Sequence, residues 1–342
     1  KAFILDVPPG PGCEIFHDFY DVYKLNLESY QKAQQFPQHI RDKIIYVHHF
    51  RTPKLWEIYT KIMKENDMFG SFQYHATGGI VANMASDMGI PCIIYVLPLI
   101  PLINEAKRIG RNYLNFHILG GATFRDIFFY ELFIKHVKEK HNISLNITYD
   151  SSGPYKQLMT SRYLNAFDEH NNIKKLNIKS DSLHLRFINN YTVEDYCQKI
   201  IDDLAERWNF KKINVNGIYG NYLNRSNIPV ETFHHDVKTY FLLYTLEMYE
   251  RVQQFMKESV EIIYPLYKNG NNEEFNNACL DIIVKSNQGK MTKKQIVKTN
   301  SITRSLDMLS NLDDEYCKYV VDKFLSKDEF TDLDLKNKSL CM

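Results

Sequence analysis

Across the first 180 residues, short apolar runs alternate with longer stretches of helical period. The strand-like runs are Ala2–Val7, Lys43–Val47, Ser71–Tyr74, Tyr113–Leu119, Leu145–Tyr149 and Lys174–Ile178. Between them lie the amphipathic stretches Phe19–Phe36, Pro53–Glu65 and Phe124–Lys140. Strands that alternate with helical segments predict a parallel sheet with crossover helices. A closed barrel and an open doubly wound sheet both fit this periodicity. From Tyr191 onward strand signals become sparse, and Val193–Trp208, His235–Tyr264 and Leu306–Leu325 read as long helices. Asn269–Asn272 reads as a loop and Ser286–Lys298 as a polar, lysine-rich segment. The expected organisation is therefore an α/β region over 1–190 followed by a mainly helical region over 191–342, with no internal repeat.

The polar residues favour the barrel. Nearly every strand-like run ends in a small or chemically capable residue: Asp6, then His48 and His49, then His75 with Gly78 and Gly79, then Gly120 and Gly121, then Asp150. In a barrel the C-terminal strand ends converge on one site, whereas an open sheet spreads them along an edge. The expected class is thus α/β, a (β/α)8 TIM-type barrel. Because Lys1 already stands inside a strand-like run and is not a methionine, the first strands of that barrel are expected to precede this chain.

Composition narrows the partners. The 42 Lys and Arg balance 41 Asp and Glu, so no overall field announces a polyanion and any nucleic-acid surface must be local. The densest basic runs are Lys135–His141, Lys174–Lys179 and Lys290–Lys298, which by composition alone are solvated faces. The cysteines at 13, 92, 197, 279, 317 and 341 form no zinc-type cluster and no compact disulfide framework, which suits free thiols in a reducing compartment. No signal peptide and no membrane span is evident, and a cytoplasmic location, in a bacterial or phage-infected cell, is expected. The longest apolar stretch, Ile90–Ile103, contains Pro98 and Pro101 and reads as a buried element. The Gly289–Lys290 pair is not a phosphate loop, because Met291 follows it and Val284 stands where the first glycine belongs.

The candidate chemistry centres on ITYDSSGPYKQLMTSRYL, residues 147–164. A strand delivers Asp150, and Ser151, Ser152, Gly153 and Pro154 make a tight exit that lets a substrate approach the carboxylate. Such an aspartate can attack an electrophilic carbon; Asp and Ser ahead of a helix are equally a helix cap. Asp6, in ILDVPPGPG, can accept from the N–H edge of a base or organise a turn. Alternation sends one of His48 and His49 to the site and the other away. Gly78–Gly79 and Leu119–Gly120–Gly121 can offer backbone to a planar ligand or serve ordinary turns.

Taken in order, these segments resemble the tRNA-guanine transglycosylase superfamily, particularly its archaeosine-type and phage DNA-modifying branches. Leu5–Pro9 (LDVPP) is similar to an LDIPTPP-like strand, Ala76–Val81 (ATGGIV) to an IGG segment, and His117–Ala122 (HILGGA) to an HLFGAG-like strand end. Asp150–Leu164 matches a DSASYALYARDGRYL-like segment at its Asp-Ser start, at Tyr155 and at Arg162–Leu164.

The resemblance implies that Asp150 is the nucleophile of a double displacement that exchanges guanine for a 7-deazaguanine base with retention, as in retaining glycosidases. It implies a base site formed by Asp6, His49, Gly78, Gly79, Leu119 and Gly120, and it calls for no metal and no cofactor. The partners implied are the 7-deazaguanine base and DNA or tRNA, and a homo-oligomer is compatible. The target nucleotide must be extruded to reach the pocket.

The chain departs from the family pattern in three places. A VQG-like strand end is VHHF here, which alters base selectivity at His49. The C-x-C-x2-C zinc motif is absent, leaving Cys197 without partners, so packing must hold that end of the barrel. The family's other catalytic carboxylate, in a DSGG-like strand, is expected to precede Lys1. Loss of the zinc region and the divergent helical half favour DNA over tRNA. An alternative is a catalytically inactive barrel of the same type that binds nucleic acid or serves assembly. A third reading, a sugar-phosphate barrel enzyme, would place an anion at Gly120–Gly121 beside Arg125.

Overall fold

The computed structural model describes residues 2–3, 19–49, 53–78, 91–121, 123–150, 163–167, 173–177, 186–187, 191–192, 202, 206, 235–286, 300–317 and 319. The chain divides into two compact units, one formed by Lys1–Ser151, Ile263–Asn277 and Thr292–Met342, the other by Ser152–Ile262 and Ala278–Met291.

The first unit is built on a parallel sheet whose strands lie in chain order: Ala2–Phe3 (β1), Ile44–His48 (β2), Tyr74–Thr77 (β3), Tyr113–Ile118 (β4) and Ser144–Tyr149 (β5). Helices Phe19–Gln34 (α1), Gln38–Arg41 (α2), Pro53–Glu65 (α3), Met68–Ser71 (α4), Pro91–Arg108 (α5) and Phe124–His141 (α6) connect them. One face of the sheet carries Tyr46, His48, His75, Phe116, Ile118 and Ile147. It meets the helices through Tyr30 of α1 on Tyr46 (4.3 Å between ring centres), Phe69 of α4 stacked on His75 (4.4 Å), and Tyr130 of α6 beside Tyr149 (5.5 Å). Alternation sends Asn115, His117, Asn146 and Thr148 to the opposite face.

Local chemistry accounts for the helices. Thr123 and Asp126 cap α6 reciprocally: the Asp126 N–H donates to Thr123 Oγ1 (3.2 Å) and the Thr123 N–H to Asp126 Oδ2 (3.0 Å). Asn142 ends the helix at φ 55°. The described part of the Ile90–Ile103 stretch, expected to be buried, lies in α5. Pro98 and Pro101 each remove a helical hydrogen bond, a loss of about 3 kcal/mol apiece in an exposed helix. Burial offsets it, since Tyr95, Val96, Leu99, Ile100, Leu102 and Ile103 are all fully enclosed.

Three expectations are corrected. The third strand is displaced from Ser71–Tyr74: Ser71 closes the helical turn Met68–Ser71, and the ladder with β2 begins only at Tyr74, so β3 runs over Tyr74–Thr77. Lys174–Ile178 does not join the parallel sheet. Ile173–Asn177 (β7) pairs antiparallel with Tyr163–Phe167 (β6) in the second unit, which also holds the antiparallel pair Arg186–Phe187 (β8) and Tyr191–Thr192 (β9). The Leu306–Leu325 helix begins earlier, at Asn300, and is interrupted after Asn311, where Leu312 turns left-handed at φ 53°; residues 314–317 are helical again, and 320–325 lie outside the described residues. Its buried stripe, Ile302, Leu306 and Leu309, already has helical spacing. Most of Val193–Trp208 and all of residues 287–298 lie outside the described residues.

The longer helices that follow are His235–Lys268 (α7), Asn272–Ser286 (α8) and Asn300–Asn311 (α9). Gly270, at φ 79°, turns the chain between α7 and α8. Within the first unit α9 packs on α5 and α6. Buried His136 of α6 joins these elements: its Nε2 lies 3.0 Å from Ser310 Oγ, and the Tyr264 hydroxyl lies 3.0 Å from its Nδ1. On the sheet, His48 Nε2 lies 3.2 Å from His75 Nδ1.

Burial holds these histidines neutral. It lowers His75 and His136 to about 3 and pushes His48 well below its ordinary range. The unfolded chain therefore binds more protons than the folded one from about pH 6.5 down to about 3. Stability is full above pH 6.5 and is lost as pH falls through that window. Denaturant unfolding at stepped pH should show a decline approaching ~1.4 kcal/mol per pH unit for each such histidine, shallower in His75→Gln. A stability that stays level from pH 7 to about pH 4.5 would show that these rings are not held neutral.

Candidate active site at the C-terminal strand ends

The ladder of the parallel sheet continues one step past the strands. The Gly78 N–H donates to the His48 carbonyl (3.1 Å), the Leu119 N–H to Thr77 (3.1 Å) and the Asp150 N–H to Ile118 (3.4 Å). His49, Gly78, Leu119 and Asp150 therefore share one rung at the C-terminal edge and by alternation continue the face of Val47, Ala76, His117 and Thr148, with the His49 ring also meeting Tyr59 of α3 (5.5 Å between centres). These residues were singled out separately along the sequence; the sheet brings them into line. Asp6, Gly79 and Ser151–Pro154 lie outside the described residues.

Asp150 is exposed, and its Oδ1 accepts the Gly120 N–H at 2.5 Å. Gly120 has φ 85°, a left-handed conformation that glycine adopts without strain and that aims its N–H at the carboxylate. Beside it Gly121 is enclosed: a Cβ there would come within 2.5 Å of the Tyr130 hydroxyl, which donates to the Gly121 carbonyl (2.9 Å).

His49 is buried and its ring lies over Gly78. A Cβ on Gly78 would meet His49 Cε1 at 2.7 Å and Nδ1 at 3.2 Å. The glycine thus seats the histidine, and its own N–H is engaged in the ladder. His48 and His75 belong to the opposite, helix-covered face and take no part in this rung.

Two residues that the sequence reading did not single out stand one layer below. His117 Nε2 is 3.9 Å from Asp150 Oδ1, and its Nδ1 is 2.9 Å from Thr148 Oγ1. Partial burial lowers the His117 pKa, while the Asp150 charge pulls it up. The available signal was spacing: His117 and Thr148 precede Leu119 and Asp150 by two residues, so they share that face.

The basic run Lys135–His141 closes α6 and leads into the start of β5, at the opposite end of the sheet from Asp150. Its Lys135 pairs with Glu139 (3.4 Å), which also holds Lys268 (3.0 Å). Arg125, the cation considered for an anion at Gly120–Gly121, has Nη2 3.5 Å from buried Asp126 Oδ1. Among the described residues no group of three His, Cys, Asp or Glu is placed to hold a metal ion, and no helix is long and apolar enough to cross a membrane. Comparison with protein-family models, curated proteins and solved structures finds no match.

Gly78→Ala should destabilise the protein by about 1–3 kcal/mol, because the His49 ring must leave its seat. In a His49→Ala background that penalty should largely vanish. A double-mutant cycle by urea denaturation measures it, and an equal penalty in both backgrounds would show that the ring is not the obstacle.

Proposed function

We propose that this protein is a base-exchanging transglycosylase, with Asp150 as nucleophile, built on a (β/α) barrel of which β1–β5 are consecutive strands. The barrel reading is supported by strand order. The five strands follow one another without reversal. A doubly wound sheet reverses its order.

The observation that carries the function is the Asp150 carboxylate, exposed at a C-terminal strand end with the Gly120 N–H on Oδ1 and His117 alongside. In the proposed reaction a carboxylate oxygen attacks C1′ of the target nucleotide. The C1′–N9 bond breaks, and guanine leaves with its electron pair and takes up a proton. The incoming 7-deazaguanine loses its N9 proton, N9 attacks C1′, and the ester breaks to restore the carboxylate. Two inversions give retention. The base is assigned to the pocket of Asp6, His49, Gly78, Gly79, Leu119 and Gly120, with DNA favoured over tRNA as the polymer.

A non-catalytic barrel that binds nucleic acid is the second reading, favoured by the His49 ring filling the space over Gly78.

The wild type should exchange radiolabelled guanine into DNA or tRNA and should yield a denaturation-resistant protein–nucleic acid adduct when trapped. Asp150→Ala should lose the adduct and reduce exchange by roughly 10³-fold or more. Exchange that survives Asp150→Ala at the wild-type rate would remove the nucleophile assignment, and binding without any exchange would favour the second reading.

A further inference from the structure

We infer that His117 is a positioning residue for Asp150: with the Gly120 N–H it engages Oδ1 and leaves Oδ2 as the attacking atom. This rests on the transglycosylase reading for the attack itself, whereas the coupling between the two side chains rests on geometry. His117 pairs with Thr148 in the register of β4 and β5, one layer below Leu119 and Asp150 on the same face. Its Nδ1 is 2.9 Å from Thr148 Oγ1, and the Phe3 ring packs edge-on at 5.4 Å between centres. Its Nε2 is buried, has no hydrogen-bond partner among the described residues, and lies 3.9 Å from Asp150 Oδ1.

The neighbouring charge selects the tautomer. With the proton on Nδ1, the Nε2 lone pair would face a carboxylate and repel it. With the Thr148 hydroxyl donating to Nδ1, Nε2 carries the proton and presents an N–H to Oδ1. A shift of about 1 Å closes this contact to hydrogen-bond length. Both donors then act on one oxygen, so Oδ2 is left to bond C1′. When the ester breaks in the second displacement, negative charge returns to the carboxylate, and two N–H groups already aimed at Oδ1 stabilise it as it forms. Asp150 is the charged group facing the ring among the described residues; Thr148 and Phe3 carry no charge.

Two measurements test this. Imidazole NMR titration of the full chain should give a lower His117 midpoint in Asp150→Asn than in wild type, because the carboxylate charge supports the protonated ring. An unchanged midpoint overturns the coupling, whether or not the protein exchanges bases. In the exchange assay, His117→Phe should lower kcat by on the order of ten- to a hundredfold with KM near the wild-type value. His117→Gln, which retains a side-chain N–H, should recover part of that loss. Equal rates for His117→Phe and wild type, or a loss confined to KM, overturn the positioning role. If His117→Phe fails to fold, His117→Gln and the titration decide. A wild type that exchanges no base removes the transglycosylase reading, and the titration then decides the coupling alone.

Discussion

The register of the parallel ladder is the constraint on which everything else depends. Side chains in a strand alternate between faces, so a slip of one residue in any strand would exchange its core set for its site set. The pairing His48–Thr77–Ile118–Tyr149 settles that choice for four strands at once. It commits Tyr46, His75, Phe116 and Ile147 to the helices, and it commits the next rung, His49–Gly78–Leu119–Asp150, to the other side. The backbone hydrogen bonds that continue past the strand ends hold that rung in line.

The helix-covered face resists slippage because its contacts are specific as well as apolar. Tyr46 sits against Tyr30, whose hydroxyl donates to the Val47 carbonyl (2.9 Å), and Phe69 lies flat on His75. The neutral His48–His75 contact places a polar pair inside this layer, which is stable only while neither ring is charged. The opposite face at β4–β5 is polar instead: Asn146 donates to Asn115 (3.2 Å), His117 meets Thr148, and Asp150 meets Gly120. A polar β4–β5 face that ends in a carboxylate suits chemistry at the C-terminal edge of a parallel sheet.

Much of the secondary structure was legible because it follows local rules. Pro53–Glu65 is a helix over its expected span, and α6 differs from expectation only by extending to His141, beneath a capping box that Thr123 and Asp126 spell out. Where the reading failed, non-local packing decided. The third strand is fixed by its ladder with β2, which begins at Tyr74 rather than at the expected Ser71. Ile173–Asn177 has a strand pattern that does not say whether its partner is parallel or antiparallel. The candidate site was partly legible, since strand-end polar residues can be listed without knowing their neighbours. His117 and Thr148 were passed over because they lie inside strands, where a polar residue acquires meaning only from the face it shares.

What the sequence by itself determined is the local content: the strand and helix periods, the glycines at 78, 120 and 121, and a chemically capable residue after most of the strands. Those properties depend on the residue and its near neighbours in the chain. Only the tertiary structure decided that His49 rests on Gly78, that the Gly120 N–H meets Asp150, and that His117 rather than His48 or His75 stands beside the carboxylate. The physical reason is register: hydrogen-bonded pairing between strands far apart in sequence sets which side chains share a face, and no local pattern contains it.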